Sequence, residues 1–114
     1  MGRGGDSNPR SAQGMSRRLI VRYEAEADIT EAALWYEQQE AGLGLELTLE
    51  VRAAMERAVE RPLLHLLLRR RPEVRRVLSR RFPYRIIFIV RDDAIVVFAV
   101  LHAARHDRRW RQRL

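Results

Sequence analysis

Two arginines and two histidines in the last third of the chain have the side chains needed for chemistry on an anion. Arg85 lies inside one apolar run, and His102, Arg105 and His106 follow directly after the next. Converging guanidinium groups can clamp a phosphate and stabilise the negative charge of a transition state. A histidine can supply or accept a proton near neutral pH. These four residues are therefore the candidate catalytic group.

Further basic and aromatic side chains surround this group in the sequence. A surface of this composition is typical of a protein that meets an anion, whether RNA, DNA or an acidic protein segment. The candidate partner-binding or nucleic-acid-binding residues are Arg80, Arg81, Tyr84, Arg108, Arg109 and Trp110.

Structural roles are an alternative for several of these side chains. Arg105 can pair with Asp107 or with a helix acid such as Glu24. His102 can be a hydrogen-bonded residue at a strand end, and Trp110 can cap the core instead of stacking on a base. The sequence leaves both interpretations open.

Two β-branched and aromatic runs position the candidate group. Tyr84 to Arg91 and Ala94 to Leu101 have the composition of strands, and the two aspartates between them are short enough for a tight hairpin turn. Because hairpin strands are antiparallel, the start of the first pairs with the end of the second. Arg85 is thus predicted to lie within reach of His102 and Arg105.

Helical periodicity fills the middle of the chain. Residues Ala25 to Glu40 and Leu45 to Arg61 each carry an apolar stripe with helical spacing. A glycine-containing break separates them, which predicts an antiparallel helical hairpin that ends at Pro62. The stripes are Ile29, Ala32, Ala33 and Tyr36 in the first helix, and Leu47, Val51, Ala54, Met55 and Ala58 in the second. The acids of both helices are expected to be solvated.

The remaining segments complete the predicted fold. Short strands are expected from Arg17 to Tyr23 and from Val74 to Arg81, and a terminal helix from Asp107 to Arg113 with Asp107 as its N-cap. Leu63 to Leu68 fits either a helix extension or a loop across the core. The predicted class is α+β, with a helical hairpin on one face of a small twisted antiparallel sheet in the order β-αα-βββ-α. The other sheet face is expected to be available to solvent or a partner.

Composition excludes several classes of protein. The 114 residues include no cysteine, which excludes disulfides and thiolate chemistry. No run of about 18 uncharged apolar residues is present, so a membrane span is excluded. A cytoplasmic location is expected. Three histidines are too few and too scattered for a convincing zinc site. No metal or cofactor is expected.

Charge is segregated along the chain. All 22 basic residues are arginine, which fits both a codon bias and selection for bidentate anion binding. Residues 24–60 carry ten acids against two arginines, a net charge of −8. Residues 69–114 carry fourteen arginines against four acids, a net charge of +10. The second half is thus expected to present an anion-binding surface, although the two halves can partly neutralise each other.

Residues 1–16 differ from the rest in composition. They are rich in Gly, Ser and Arg and nearly free of large apolar side chains, so a disordered arm is expected. Met15 is an alternative start of the protein. Residues 17–114 are expected to form one domain.

These segments together resemble the RelE/ParE superfamily of toxins from type II toxin–antitoxin systems, also called plasmid-stabilisation proteins. The resemblance covers about Leu19 to Arg113 and depends on the order and spacing of short motifs. The motifs are Glu24-Ala25-Glu26-Ala27-Asp28-Ile29, Trp35-Tyr36-Glu37, Gly42-Leu43-Gly44, Pro62, Val74-Arg75-Arg76, Phe82-Pro83-Tyr84-Arg85, Ala99-Val100-Leu101-His102-Ala103-Ala104-Arg105 and Trp110.

The resemblance implies a growth-inhibiting toxin of this α+β fold. A cognate antitoxin would neutralise it by wrapping an often acidic segment around it. ParE-type toxins poison DNA gyrase, whereas RelE-type toxins cut mRNA on the ribosome without a metal. The implied target is therefore gyrase or ribosome-bound mRNA, and a non-toxic binding module of the same fold is a third alternative.

A RelE-type activity would use specific residues of this chain. Arg85 and Arg105 match the family arginines that bind the scissile phosphate, and His102 or His106 would transfer protons. No tyrosine follows Tyr84 and no lysine is present, although RelE-type enzymes use such residues. The spacing of His102 and Arg105 before Trp110 is closer to the ParE branch. A ParE-type toxin is therefore the first expectation.

Overall fold

The computed structural model describes residues 17–104 and 108–114, and it contains a helical hairpin packed against one face of a five-stranded sheet. This arrangement confirms the predicted α+β class. The elements in chain order are β1 (Arg18–Val21), α1 (Tyr23–Gln39), α2 (Leu43–Glu60), a short 3-10 turn (Pro62–Leu64), β2 (Leu66–Arg69), β3 (Val74–Leu78), β4 (Tyr84–Val90), β5 (Ala94–His102) and α3 (Arg109–Gln112).

Strand β2 is an addition to the predicted order. Leu66 pairs with Arg76 and Leu67 with Arg75, so β2 forms an antiparallel edge beside β3. It lies in the leucine-rich stretch that fits a helix extension or a loop equally well. A run of leucines has no alternation, so periodicity alone cannot identify a strand there. The observed order is therefore β-αα-ββββ-α instead of β-αα-βββ-α.

The sheet is mixed and not wholly antiparallel. Its strand order is β1-β5-β4-β3-β2, and β1 runs parallel to β5 with Arg18 opposite Ala94 and Val21 opposite Val97. The Arg22 N–H continues this pairing by donating to the Val97 carbonyl at 2.8 Å. The predicted antiparallel arrangement holds for the other three pairs of strands.

Strands β4 and β5 form the predicted hairpin. The Arg91 N–H donates to the Ala94 carbonyl at 2.9 Å, which leaves Asp92 and Asp93 as the two residues of the turn. At the other end of the hairpin, the start of β4 pairs with the end of β5. The candidate catalytic residues on these two strands therefore lie at the same end of the sheet.

A β-bulge interrupts β5 at Phe98. Ile87 pairs with Ala99 and Phe88 with Val97, so Phe98 has no partner in the β4 ladder. The bulge turns Phe98 and Ala99 to the same face of the sheet, where both are buried. It also frees backbone groups of β5 to bind other parts of the molecule.

Glycine and a carboxylate shape the junction of the helical hairpin. Gly42 has a φ of 97°, a left-handed conformation that favours glycine. A Cβ at Gly44 would lie 2.7 Å from the Ala33 carbonyl oxygen, so the two helices approach closely there. The Glu37 carboxylate accepts hydrogen bonds from the N–H groups of Gly42 and Gly44 at 3.0 Å each. Glu37 thus caps the first turn of α2 from the end of α1.

Two hydrophobic clusters lie on opposite faces of the sheet. The first joins the predicted stripes of α1 and α2 to the strands and includes the fully buried Leu47, Met55 and Phe88. The second includes Ile87 and Trp110. Burying a side chain of this size contributes about 1.5–3 kcal/mol. The face expected to meet solvent or a partner is therefore apolar and buried at its centre.

Candidate functional site

A groove opens at the end of the sheet where β4 begins and β5 ends. The middle of α1 forms one wall, and the strand ends form the other. The volume is about 510 Å³, and the lining residues are Asp28, Glu31, Ala32, Trp35, Tyr36, Tyr84, Val100, Leu101, His102 and Arg109. We call this cavity the aromatic groove.

A series of ring contacts connects the aromatic groove to the core. Tyr36 meets Trp35 and Phe82 edge to face, each with 5.0 Å between ring centroids. Tyr84 lies 6.4 Å from Tyr36 and 5.3 Å from His102 in similar geometry. Such a contact between aromatic rings adds about 0.5–1.5 kcal/mol beyond area burial. The inner wall is therefore well packed, while Trp35 is 56% exposed at the rim.

His102 is held at the end of β5 by local contacts. Its Nδ1 accepts a hydrogen bond from the Ala104 N–H at 3.1 Å, and its ring packs against Tyr84. In the neutral ring this arrangement puts the proton on Nε2. The structural role expected as an alternative for His102 is thus observed, and it leaves Nε2 as the nitrogen that can donate.

Arg85 and His102 leave the sheet on opposite faces. The register sets Arg85 opposite Leu101 and Tyr84 opposite His102. Neighbouring residues of a strand point to opposite sides, and Tyr84 packs with the first cluster whereas Leu101 belongs to the second. The backbones of Arg85 and His102 are therefore close, as predicted, but the side chains do not share a face.

The two arginines that precede β4 differ in their contacts. Arg80 is exposed. Arg81 pairs with Glu46 of α2 at 2.8 Å, and its guanidinium lies 5.2 Å from the centre of the Phe82 ring. Arg81 therefore joins the loop before β4 to the helical hairpin, whereas Arg80 presents its charge to solvent.

The predicted residues near the C-terminus also separate into different environments. Arg108 and Arg109 are exposed. Trp110 is 6% exposed and packs in the second cluster, so it caps the core as the structural alternative predicts. Arg105 and His106 lie outside the described residues.

A buried ion pair beside the aromatic groove is not among the predicted features. The Asp28 carboxylate binds the Arg113 guanidinium through both oxygens, at 2.7 and 3.1 Å. Asp28 also accepts a hydrogen bond from the Val100 N–H at 2.9 Å, and Arg113 donates to the Phe98 carbonyl at 3.0 Å. The pair thus satisfies backbone groups at the bulge and ties the C-terminal segment to α1.

The expectation that the helix acids are solvated is wrong for Asp28, which is 9% exposed. Asp28 lies three residues after Ala25 and four before Ala32, so helical spacing alone puts it on the buried face.

The hydrogen bond to Asp28 raises the pKa of Arg113 above its ordinary value; burial opposes this shift, and the charge of Asp28 adds to it.

Within 17–104 and 108–114, no group of three or more His, Asp or Glu side chains is arranged to hold a metal ion. No helix in this part of the chain is both long and apolar enough to span a membrane.

The fold is shared with a solved structure. A chain described as "Chromosomal ParDE TA system from P. aeruginosa" matches with a TM-score of 0.66 at 16% identity, over 76% of this chain and 96% of that chain. The likeness shows that this chain, with its helical hairpin on a mixed five-stranded sheet, shares the fold of that structure.

The sequence then identifies the family. The family described as "ParE toxin of type II toxin-antitoxin system, parDE" matches residues 19–107. The chain belongs to this family of toxins, and the predicted resemblance is confirmed. No curated protein matches the sequence at a significant level.

Proposed function

We propose that this toxin is neutralised by a cognate antitoxin and that it arrests growth by binding DNA gyrase. The match of residues 19–107 to the ParE family carries the proposal, because the ParE branch is the one implied to poison gyrase. The likeness to a structure described as a ParDE system supports it at the level of the fold.

The aromatic groove is the proposed contact with gyrase. Trp35 is 56% exposed at its rim, beside the half-buried Tyr84 and His102. Tryptophan and tyrosine are the side chains that most often dominate binding free energy at protein interfaces. The exposed Arg80 and Arg109 add positive charge, which speeds association with an acidic partner.

The antitoxin is proposed to cover the same end of the sheet with an acidic segment. The net charge of +10 in residues 69–114 would attract such a segment. A segment lying over Trp35 and Arg80 would exclude gyrase from the aromatic groove. Neutralisation then needs no change in the toxin's fold.

Cleavage of mRNA on the ribosome is the second candidate function, with Arg85, Arg105, His102 or His106 as its catalytic residues. The hairpin register favours it, because Arg85 and His102 lie at neighbouring positions of paired strands. Their side chains point to opposite faces, an arrangement that disfavours joint contact with one phosphate. Gyrase binding is therefore the preferred proposal.

Induced expression without an antitoxin separates these functions. We expect growth arrest with DNA breaks and an SOS response, while transcripts stay intact. The purified toxin should also inhibit supercoiling by purified gyrase. Transcripts cut at codon-spaced sites with intact DNA would support the nuclease instead. Normal growth of cells that accumulate soluble protein would contradict both and leave a non-toxic binding module.

The variant Trp35→Ala tests the aromatic groove directly. If this ring is buried against gyrase, its loss should weaken inhibition by about 10-fold or more. The side chain is largely exposed, so the thermal midpoint should change little. Leu63→Ala is the matched control, because Leu63 is 61% exposed and does not line the groove. Equal inhibition by the two variants would exclude the groove as the gyrase contact.

A further inference from the structure

The arginines of this protein gather at both ends of the sheet and not only beside the aromatic groove. The β2–β3 turn and the β4–β5 turn reach the opposite end, where β1 begins. Segments far apart in sequence therefore meet there. The arginines they contribute are Arg17, Arg18, Arg69, Arg70, Arg71 and Arg91, which we call the distal arginine cluster.

Contacts with backbone carbonyls hold parts of the cluster in place. Arg17 Nε donates to the Arg91 carbonyl at 2.8 Å, which joins the start of β1 to the β4–β5 turn. Arg69 Nε donates to the Arg71 carbonyl at 3.0 Å within the β2–β3 turn. These hydrogen bonds and the pairing of the strands fix the relative positions of the arginines.

Little of the positive charge is neutralised by carboxylates in the described part of the chain. There, Arg18 alone of the cluster forms an ion pair, with Asp93 at 3.6 Å, and the two side chains are 70% and 76% exposed. An ion pair this exposed contributes little. Glu73, the acid of the β2–β3 turn, pairs with Arg75 at 2.6 Å instead. With Asp92 and Asp93 in the other turn, this end of the sheet carries six arginines against three acids, so the cluster keeps a net positive charge for a partner.

The sheet arranges the cluster as a row. Arg18 lies on β1, Arg91 follows β4 and Arg69 ends β2, so successive arginines are two strands apart. With a strand spacing of about 4.8 Å, the row is about 19 Å long with intervals of about 10 Å. A strand of duplex DNA carries a phosphate about every 3.4 Å along the axis, so the row spans about 5 to 6 phosphates.

We propose that the distal arginine cluster binds the phosphate backbone of double-stranded DNA. A single anion requires converging guanidinium groups, whereas an extended row matches a line of phosphates. The two turns consist of three arginines, three acids and one proline, and the flanking Arg17, Arg18 and Arg69 make this end of the sheet net positive. They lack the apolar anchors that give protein-docking surfaces their affinity, and DNA-binding surfaces are more polar and more basic. This activity goes beyond the proposed action on gyrase and requires no base recognition.

Salt-dependent binding to a short duplex of arbitrary sequence tests the proposal. Fluorescence anisotropy would compare the full chain with Arg69→Gln/Arg70→Gln/Arg71→Gln. We expect the triple variant to bind at least about 10-fold more weakly, and the slope of log affinity against log salt to fall by about 2 to 3, because each phosphate contact contributes about 0.9. The altered side chains are exposed, so the fold should persist, and circular dichroism would check it.

A second triple variant controls for net charge. Arg61→Gln/Arg76→Gln/Arg111→Gln removes the same charge from residues outside the cluster, of which Arg61 and Arg111 are exposed and Arg76 is half-buried, and should keep most of the affinity. An equal loss of DNA affinity in the two triple variants would overturn the proposal. So would unchanged DNA binding by the first variant together with lost binding to a glutamate-rich peptide, since the surface would then dock protein. The assay contains no gyrase, so its result does not depend on the proposed target.

Discussion

Asp28 is the residue on which the end of the chain depends. The side chains of Asp28 and Arg113 are 8% and 17% exposed, so neither charge is well solvated. Removing one partner would leave the other charged and buried, and would also leave the Val100 N–H without its acceptor. This one carboxylate therefore supports a helix, a bulged strand and the C-terminal segment together.

Replacing Asp28 with alanine is expected to lower the free energy of unfolding by about 3–5 kcal/mol, the usual cost of breaking a buried ion pair. Urea denaturation monitored by circular dichroism measures this change. Asp93→Ala is the control, because its pair with Arg18 is exposed and should contribute within about 1 kcal/mol. Similar losses for the two variants would contradict a special role for Asp28.

The raised pKa of Arg113 sets the pH range of this contribution. A cation with a raised pKa in the folded state stabilises fully below its ordinary pKa, and the effect is lost only as pH rises through the folded-state value. For an arginine both values lie far above neutrality. We expect the stability difference between the protein and Arg113→Met to stay constant from neutral to moderately alkaline pH in urea titrations. A steady decline over that range would contradict this assignment.

The candidate site could be predicted only in part at this scale. The hairpin register placed Tyr84 beside His102, because antiparallel pairing follows from a two-residue turn. Alternation along a strand also implies that Arg85 points away from Tyr84, a consequence that the register alone does not reveal. Arg113 could not be identified, since its partner lies 85 positions earlier and only tertiary structure joins them.

Among the elements, the helical hairpin depends on a close approach at Gly44. Gly44→Ala would put a methyl group 2.7 Å from the Ala33 carbonyl oxygen and 3.1 Å from the Glu37 carboxylate that caps α2. Overpacking of this kind costs about 1–3 kcal/mol, which thermal or urea unfolding would detect. Leu45→Ala, at the next position and 63% exposed, should change stability by only about 0.5 kcal/mol. If Gly44→Ala does not lower the free energy of unfolding, the two helices can move apart at this position without a cost in stability.

Local patterns predicted four elements. The helices α1 and α2 follow from apolar stripes with helical spacing, and the strands β4 and β5 follow from runs of β-branched and aromatic residues. Strand β2 was not predictable, because Leu66 to Leu68 are identical and carry no alternation. The parallel pairing of β1 with β5 was not predictable either, because partner choice between distant strands is decided by the whole sheet.

In the whole molecule, ion pairs join the acidic and basic halves of the chain. Arg81 pairs with Glu46, and Arg113 pairs with Asp28. The alternative that the halves partly neutralise each other is therefore observed at these contacts. The helical hairpin stays acidic and the sheet ends stay basic, which orients the molecule towards an anionic partner.

Deleting residues 109–114 is expected to unfold much of the population. The deletion removes Trp110, worth about 3–5 kcal/mol as a buried aromatic residue, together with the partner of Asp28. These losses are comparable to the total stability of an ordinary domain, about 5–15 kcal/mol. Circular dichroism and a growth assay should show an unfolded, non-toxic chain. Deleting only Leu114, which is 43% exposed, should have little effect, and a stable chain ending at Arg108 would contradict the expectation.

The parallel pairing of β1 with β5 has a consequence for when the toxin can fold during its synthesis. Residues 18–21 leave the ribosome early, yet their partners in residues 94–97 are among the last to be translated. At about 5–20 residues per second, the interval is about 4–15 s. The groove contains the end of β5, so the proposed contact with gyrase is complete only after this interval. A cognate antitoxin would therefore have several seconds to reach the chain before that surface forms.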